Sequence, residues 1–168
     1  MMKNHKILLD TDIGDDIDDA LALALTLEMP EMDLVGVTTV FQNTEKRARI
    51  ARKMLSLWGR DVPVYAGLAF GEAGGTPSTQ PPCQYTPDLE DPAYAPCNDP
   101  AEDQGMGAVD FIIRSAERLG PELTVVAIGP LTNLARALQK TPQSMRRIRR
   151  IVLMGGCFEK QFREWNIL

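Results

Sequence analysis

Between Asp10 and Asp19, six of ten residues are aspartate: Asp10, Asp12, Asp15, Asp16, Asp18 and Asp19. Helix capping and a solvated acidic turn account for one or two of them. Two carboxylates ~4 Å apart repel by about 1 kcal/mol in water and about 4 kcal/mol at an intermediate dielectric. A cluster this dense beside an apolar run therefore calls for a compensating cation. Oxygen-only donors select a hard ion, calcium or magnesium. His5 is the only histidine, so a His-rich zinc site is excluded.

The elements that must position these carboxylates follow from periodicity. "KILLD" (6–10) is a short apolar run ending in acid, a buried strand. From Asp16 to Met29, Ile17, Leu21, Ala24, Leu25 and Leu27 suit a helix capped by Asp15 or Asp16 and ended by Pro30. "MDLVGVTTVF" (32–41) is a β-branched strand. "NTEKRARIARKMLSLWG" (43–59) is a helix capped by Asn43 or Thr44, with Ile50, Met54 and Leu57 as its stripe. "VPVYAG" (62–67) is a third strand. After a segment rich in Pro, Gly and acid (70–103), the alternation resumes. Residues 105–120 form a helix closed by Gly120, 122–129 a strand, 130–140 a helix with Pro130 in its first turn, and 148–156 a strand.

Strands alternating with helices predict right-handed βαβ units and an α/β fold with an open, mainly parallel sheet flanked by helices. In such sheets ligands bind beyond the carboxyl ends of the strands, which is where the aspartates fall. No covering helix follows the last strand. We expect a single α/β domain over 1–168, truncated at its C-terminus, with a sheet edge covered in a homo-oligomer.

The 168 residues, 44% hydrophobic and 24% charged, are ample for one stable core. The net charge of −5 argues against a nucleic-acid or anionic-membrane surface. No apolar run approaches the ~20 residues that span a bilayer. The acid-rich start is no signal peptide, so a cytoplasmic protein is expected. Three cysteines (Cys83, Cys97, Cys157) then read as reduced thiols. Arg146, Arg147, Arg149 and Arg150 read as a solvated run. His5 receives no catalytic role.

Two known acidic loops fit poorly. An EF-hand needs Gly at its sixth position and Glu at its twelfth, where counting from Asp10 gives Asp15 and Leu21. The D-x-D of magnesium-dependent, haloacid-dehalogenase-like phosphatases would make Asp10 the nucleophile and Asp12 the acid. It expects Thr or Val where Gly14 stands, and leaves Asp18 and Asp19 unexplained.

The chain more closely resembles the nucleoside hydrolase family, the inosine–uridine type. The likeness rests on Asp10-Thr11-Asp12-Ile13-Gly14 with Asp18-Asp19-Ala20, on "VGVTTVFQN" (35–43), on "VAIGPLTNLA" (126–135), and on "LMGG" (153–156) with "EWN" (164–166). It runs in order over the whole sequence. It implies a Rossmann-like hydrolase core and calcium-dependent hydrolysis of the N-glycosidic bond of ribonucleosides to base and ribose, a step in purine or pyrimidine salvage. Asp12 would bind the calcium and activate the attacking water. Asp19 would be its main ligand, joined by the Ile128 backbone carbonyl, with Asp16 a further candidate. Asp18, Asn43, Glu164 and Asn166 would meet the ribose, and Asp10 would support the loop. Asp15–Asp16 lengthens the shorter form of the motif by two residues, so either Asp16 or Asp18 could face the sugar.

The sequence departs from the family in three ways. It has no histidine before "GMG" (105–107), and Phe158 stands where an asparagine is often found. The family pattern also continues for about as many residues again, supplying another calcium aspartate and a histidine near the base. The 168-residue chain alone is therefore expected to be inactive. A phosphatase, or a non-catalytic nucleoside- or ribose-binding protein, remains the alternative.

Overall fold

The computed structural model describes residues 4–14, 16–69, 106–156 and 166. Strands β1 (His5–Thr11), β2 (Met32–Thr39), β3 (Val64–Ala66), β4 (Leu123–Ala127) and β5 (Arg150–Leu153) form one sheet in the order β3-β2-β1-β4-β5. Every pairing is parallel. Helices α1 (Ile17–Glu28) and α2 (Thr44–Leu57) link the first three strands. Helix α3 (Ala108–Leu119) and a short 3-10 turn (Gly120–Glu122) precede β4, and α4 (Thr132–Lys140) with α5 (Pro142–Met145) leads to β5.

The strand order sets the layers. From β1 the chain steps outward through β2 to β3, then returns to place β4 on the other side of β1. Right-handed crossovers therefore put α1 and α2 on one face and the later helices on the other. Side-chain alternation along the strands serves both faces. Ile7, Leu9, Leu34 and Val37 pack with Leu23, Leu27, Ala48, Ala51 and Leu55. Leu8, Leu123, Val125 and Ala127 pack with Phe111, Ile112, Ala116, Leu134 and Met145 on the opposite face. Gly36 lies under the Phe111 ring, where a Cβ would collide with the ring carbons. The reversal of strand order between β1 and β4 is the topological switch point of an open α/β sheet.

Three expectations are corrected in detail. The apolar residues Ile17, Leu21 and Leu25 of α1 are exposed, and its buried residues are Asp19, Leu23, Thr26 and Leu27. A hydrogen bond from Thr11 to Asp19 turns the acid inward and rotates the apolar stripe away from the core. On α2, Leu57 is exposed, and the buried stripe is Thr44, Arg47, Ala48, Ala51 and Leu55. Pro130 precedes α4 rather than opening it, because Gly129–Leu131 carries the chain across the end of β1 and Leu131 is the N-cap. Cys83, Cys97, Cys157 and the 70–103 segment lie outside the described residues. No helix among the described residues is long and apolar enough to cross a membrane.

Candidate functional site

The acidic loop leaves the carboxyl end of β1 beside β4, at the switch point. Asp10 is still within the strand and has no exposed surface. Its Oδ1 accepts from Thr38 Oγ1 at 2.6 Å and from Asn133 Nδ2 at 2.8 Å. Its Oδ2 is buried without a hydrogen-bond partner. Burial pushes the carboxyl up to about 6, against the lowering effect of Thr38 and Asn133. A carboxylate so enclosed cannot meet a phosphate ester, so the structure gives no support to Asp10 as a phosphatase nucleophile.

Asp12 and Asp19 are buried, each 8% exposed. The Thr11 hydroxyl donates to Asp19 Oδ1 and accepts from the Ile13 N–H at 3.1 Å. The Asp12 backbone N–H also hydrogen-bonds the Asp19 carboxylate. Desolvation raises Asp19 to about 6, with the neighbouring Asp18 adding to the rise; Thr11, Arg47 and the Asp12 N–H pull the other way. A buried acid of the loop, Asp12, and one of the first turn of α1, Asp19, thus lie at one end of β1, and desolvation disfavours the charged form of Asp19 there.

Gly129 brings the β4–α4 connection onto this loop. A Cβ at Gly129 would lie 2.7 Å from Val40 Cγ1 and 2.9 Å from both the backbone N and Oδ1 of Asp12. The Ile128 N–H donates to the Asp10 carbonyl at 2.9 Å, and the Ile128 carbonyl accepts from Asn166 Nδ2 at 2.9 Å. Asn166, 3% exposed, also donates to the Met154 carbonyl at 3.2 Å.

The structure therefore gathers Asp10, Asp12, Asp19, Ile128 and Asn166 around the ends of β1 and β4. Asp16 and Asp18 are exposed at the start of α1. Asp16 holds the N-cap position, but its side chain makes no capping hydrogen bond. Asn43 is exposed, and its Oδ1 caps α2 by accepting from the Lys46 N–H at 3.2 Å. Asp15 and Glu164 lie outside the described residues.

Two residues that the sequence reading passed over hold the site together. Asn133 is fully buried; besides Asp10 it donates to the Thr39 carbonyl at 3.0 Å and accepts from the Leu68 N–H at 2.9 Å. Arg47, 2% exposed, donates to the carbonyls of Phe41, Asp12 and Ile13. The signal for Arg47 was its place on the otherwise small or apolar stripe Ala48–Ala51–Leu55. The signal for Asn133 was its place within "GPLTN".

Oxygen donors alone, and buried acids whose charge burial disfavours, fit a hard cation in type. Among the described residues no three or more His, Cys, Asp or Glu side chains gather closely enough to hold an ion. Asp12 and Asp19 are, besides Asp10, the buried acids at this crevice among the described residues.

The description "inosine-uridine preferring nucleoside hydrolase" matches residues 7–168 at the level of a family model. The chain belongs to that nucleoside hydrolase family. It is 40% identical over 173 residues to the non-specific ribonucleoside hydrolase RihC of Salmonella agona, covering 93% of this chain and 50% of that protein. It is 33% identical to uridine nucleosidase 1 of Arabidopsis thaliana, covering 93% of this chain and 46% of the relative. Among solved structures, a plant nucleoside hydrolase, the PpNRh1 enzyme, superposes with a TM-score of 0.75 at 30% identity, over 91% of this chain and 48% of the other. The chain spans about half the length of the relatives it matches. The shared nucleoside hydrolase fold puts the acidic loop in the crevice where open α/β sheets bind ligands.

Proposed function

We propose that this nucleoside hydrolase chain carries the metal and ribose side of a calcium-dependent site that cleaves the N-glycosidic bond of ribonucleosides. The observation that carries this reading is the buried Asp12–Asp19 pair at the switch point, in a chain whose family relatives are named for ribonucleoside hydrolysis.

Asp12, Asp19 and the Ile128 carbonyl are the proposed calcium donors, with Asp16 a further candidate. When bound, calcium supplies positive charge that fixes a ribose diol and lowers the pKa of an adjacent water. Asp12, held against Gly129, takes the proton of the attacking water as general base. Bond cleavage proceeds through an oxocarbenium-like sugar, as in other glycoside hydrolyses. Asp18, Asn43, Glu164 and Asn166 hold the ribose hydroxyls; Asp18 and Asn43 reach them from the exposed starts of α1 and α2. Asp10 does not touch the substrate; with Thr38 and Asn133 it anchors the base of the loop.

Purified 168-residue chain is expected to release no measurable ribose, because Asp12 and Asp19 supply too few anionic ligands. We further assign the protein to the cytoplasm and to a homo-oligomer, with nucleosides rather than nucleic acid or membrane as its partners. In the full-length form, Asp12→Asn should abolish nearly all ribose release while leaving the circular dichroism spectrum unchanged. Wild-type turnover by that variant would remove Asp12 from water activation.

A further inference from the structure

Arg47 lies beneath the acidic loop rather than in it. Burying a guanidinium is costly unless its donors are met. Here Nε donates to the Phe41 carbonyl at 2.8 Å, and Nη1 donates to the carbonyls of Asp12 and of Ile13, the latter at 3.0 Å. The guanidinium carbon also stands 5.6 Å from the centre of the Phe41 ring. One side chain of α2 thus ties the loop after β1 to the loop after β2.

One of the peptide groups it holds is braced from both sides. The Asp12–Ile13 peptide is held at its oxygen by Arg47 and at its N–H by Thr11 Oγ1. That same Thr11 hydroxyl donates to Asp19 Oδ1. A continuous path runs from Arg47 through one peptide and one hydroxyl to the Asp19 carboxylate. The partner loop is unusual as well. Phe41 and Gln42 both have positive φ, 73° and 53°, a conformation that non-glycine residues adopt at an energetic cost. The bond from Arg47 to the Phe41 carbonyl, with bonds from the Phe41 and Gln42 N–H groups to Leu68 and Ala69, holds that turn in place.

We propose that Arg47 is a positioning residue: by clamping the Asp12–Ile13 peptide to the Phe41 turn, it pre-sets the Asp12 and Asp19 carboxylates for a hard cation. The proposal rests on the cation site given above. It makes a prediction opposite in sign to simple charge arithmetic. Removing a cation from beside a cation site should tighten calcium binding; removing a clamp should loosen it. Partners of metal ligands are typically worth about 10- to 100-fold in affinity.

The test uses Arg47→Met and Arg47→Lys in the full-length protein. Lysine keeps the charge but, as a single point donor, cannot span both loops, and it preserves the test if the methionine variant does not fold. Calcium affinity is read by isothermal titration, and loop order by amide hydrogen exchange in chelator. We expect calcium Kd to rise at least about tenfold, and exchange at Ile13 and its neighbours to accelerate, while protection in α3 and β4 holds. Unchanged or tighter calcium binding, or loop exchange at the wild-type rate, overturns the clamp. Absence of calcium binding by the wild type overturns the cation site itself, and exchange then still decides whether Arg47 orders the loop.

Discussion

Replacing Asn133 with aspartate is the most direct probe of the layer under the site. The amide donates to Asp10 Oδ1 and to the Thr39 carbonyl, and it accepts from the Leu68 N–H. Aspartate has nearly the same shape and keeps the acceptor for Leu68. It loses both donations and sets a second carboxylate against Asp10 in a site with no exposed surface. The lost hydrogen bonds cost about 1 kcal/mol or more each, because the Thr39 carbonyl is left orphaned. Two facing carboxylates at an effective dielectric near 20 add about 4 kcal/mol of repulsion when both are ionised. Because Asp10 is already raised to about 6, the pair escapes that repulsion at pH 7.5 by taking up a proton for about 2 kcal/mol, so the total there is about 4 kcal/mol, a large part of the 5–15 kcal/mol of a typical domain. Near pH 5 the proton is bound without that cost, and the penalty should shrink by about 2 kcal/mol. Asn133→Ala loses the same donations without adding charge; since the amide favours ionised Asp10, its penalty should also rise with pH, but less steeply. Urea unfolding followed by circular dichroism, in chelator, measures both. If the penalty of Asn133→Asp rises no more steeply with pH than that of Asn133→Ala, Asp10 and Asn133 are not in contact as described.

Two further outcomes follow from the same geometry. Asp10 is raised from 3.8 to about 6 by burial, so the folded state binds its proton more tightly than the unfolded state. Stability in chelator should therefore fall as pH rises, by about 1.4 kcal/mol between about pH 5 and pH 7.5 from Asp10 alone, and level off above about pH 7; Asp19 acts in the same direction, and a profile that rises over this window refutes both assignments. Gly129→Ala should destabilise by about 1–3 kcal/mol through overpacking and should cut turnover of the full-length form more than it changes KM, since the new methyl meets Asp12; wild-type kcat would show that the close approach is irrelevant to catalysis.

The fold was legible where the pattern is repetitive. Strand–helix alternation over 6–67 and 105–156 was enough to specify a parallel sheet, and the cluster after "KILLD" lies at the carboxyl end of the central strand β1. Errors arose where a polar contact overrode periodicity. Helix α1 carries two candidate apolar faces, Ile17–Leu21–Leu25 and Leu23–Leu27, and apolar spacing alone does not choose between them. The choice is made by Asp19, whose bonds to Thr11 and to the Asp12 N–H fix the rotation of the first turn. The same reasoning explains α2, where Arg47 rather than Leu57 takes an inward position because loop carbonyls await it.

What the sequence concealed is the difference between carboxylates that meet a ligand and those that hold the others. All six aspartates look alike in the string, and composition assigns them one sign and one chemistry. In the structure the five described ones divide by depth. Asp16 and Asp18 are exposed, Asp12 and Asp19 are buried at the crevice, and Asp10 is sealed within β1. The buried ones have their own polar supports: Asn133 and Thr38 for Asp10, Thr11 for Asp19, Arg47 for the peptide between Asp12 and Ile13. None of these four supports is acidic, and they come from four different elements, β1, β2, α2 and α4. A charge-based reading therefore finds the acids but not their order. That order follows from the switch point, because there β1, β2 and the β4–α4 connection converge closely enough for one loop to be braced from below.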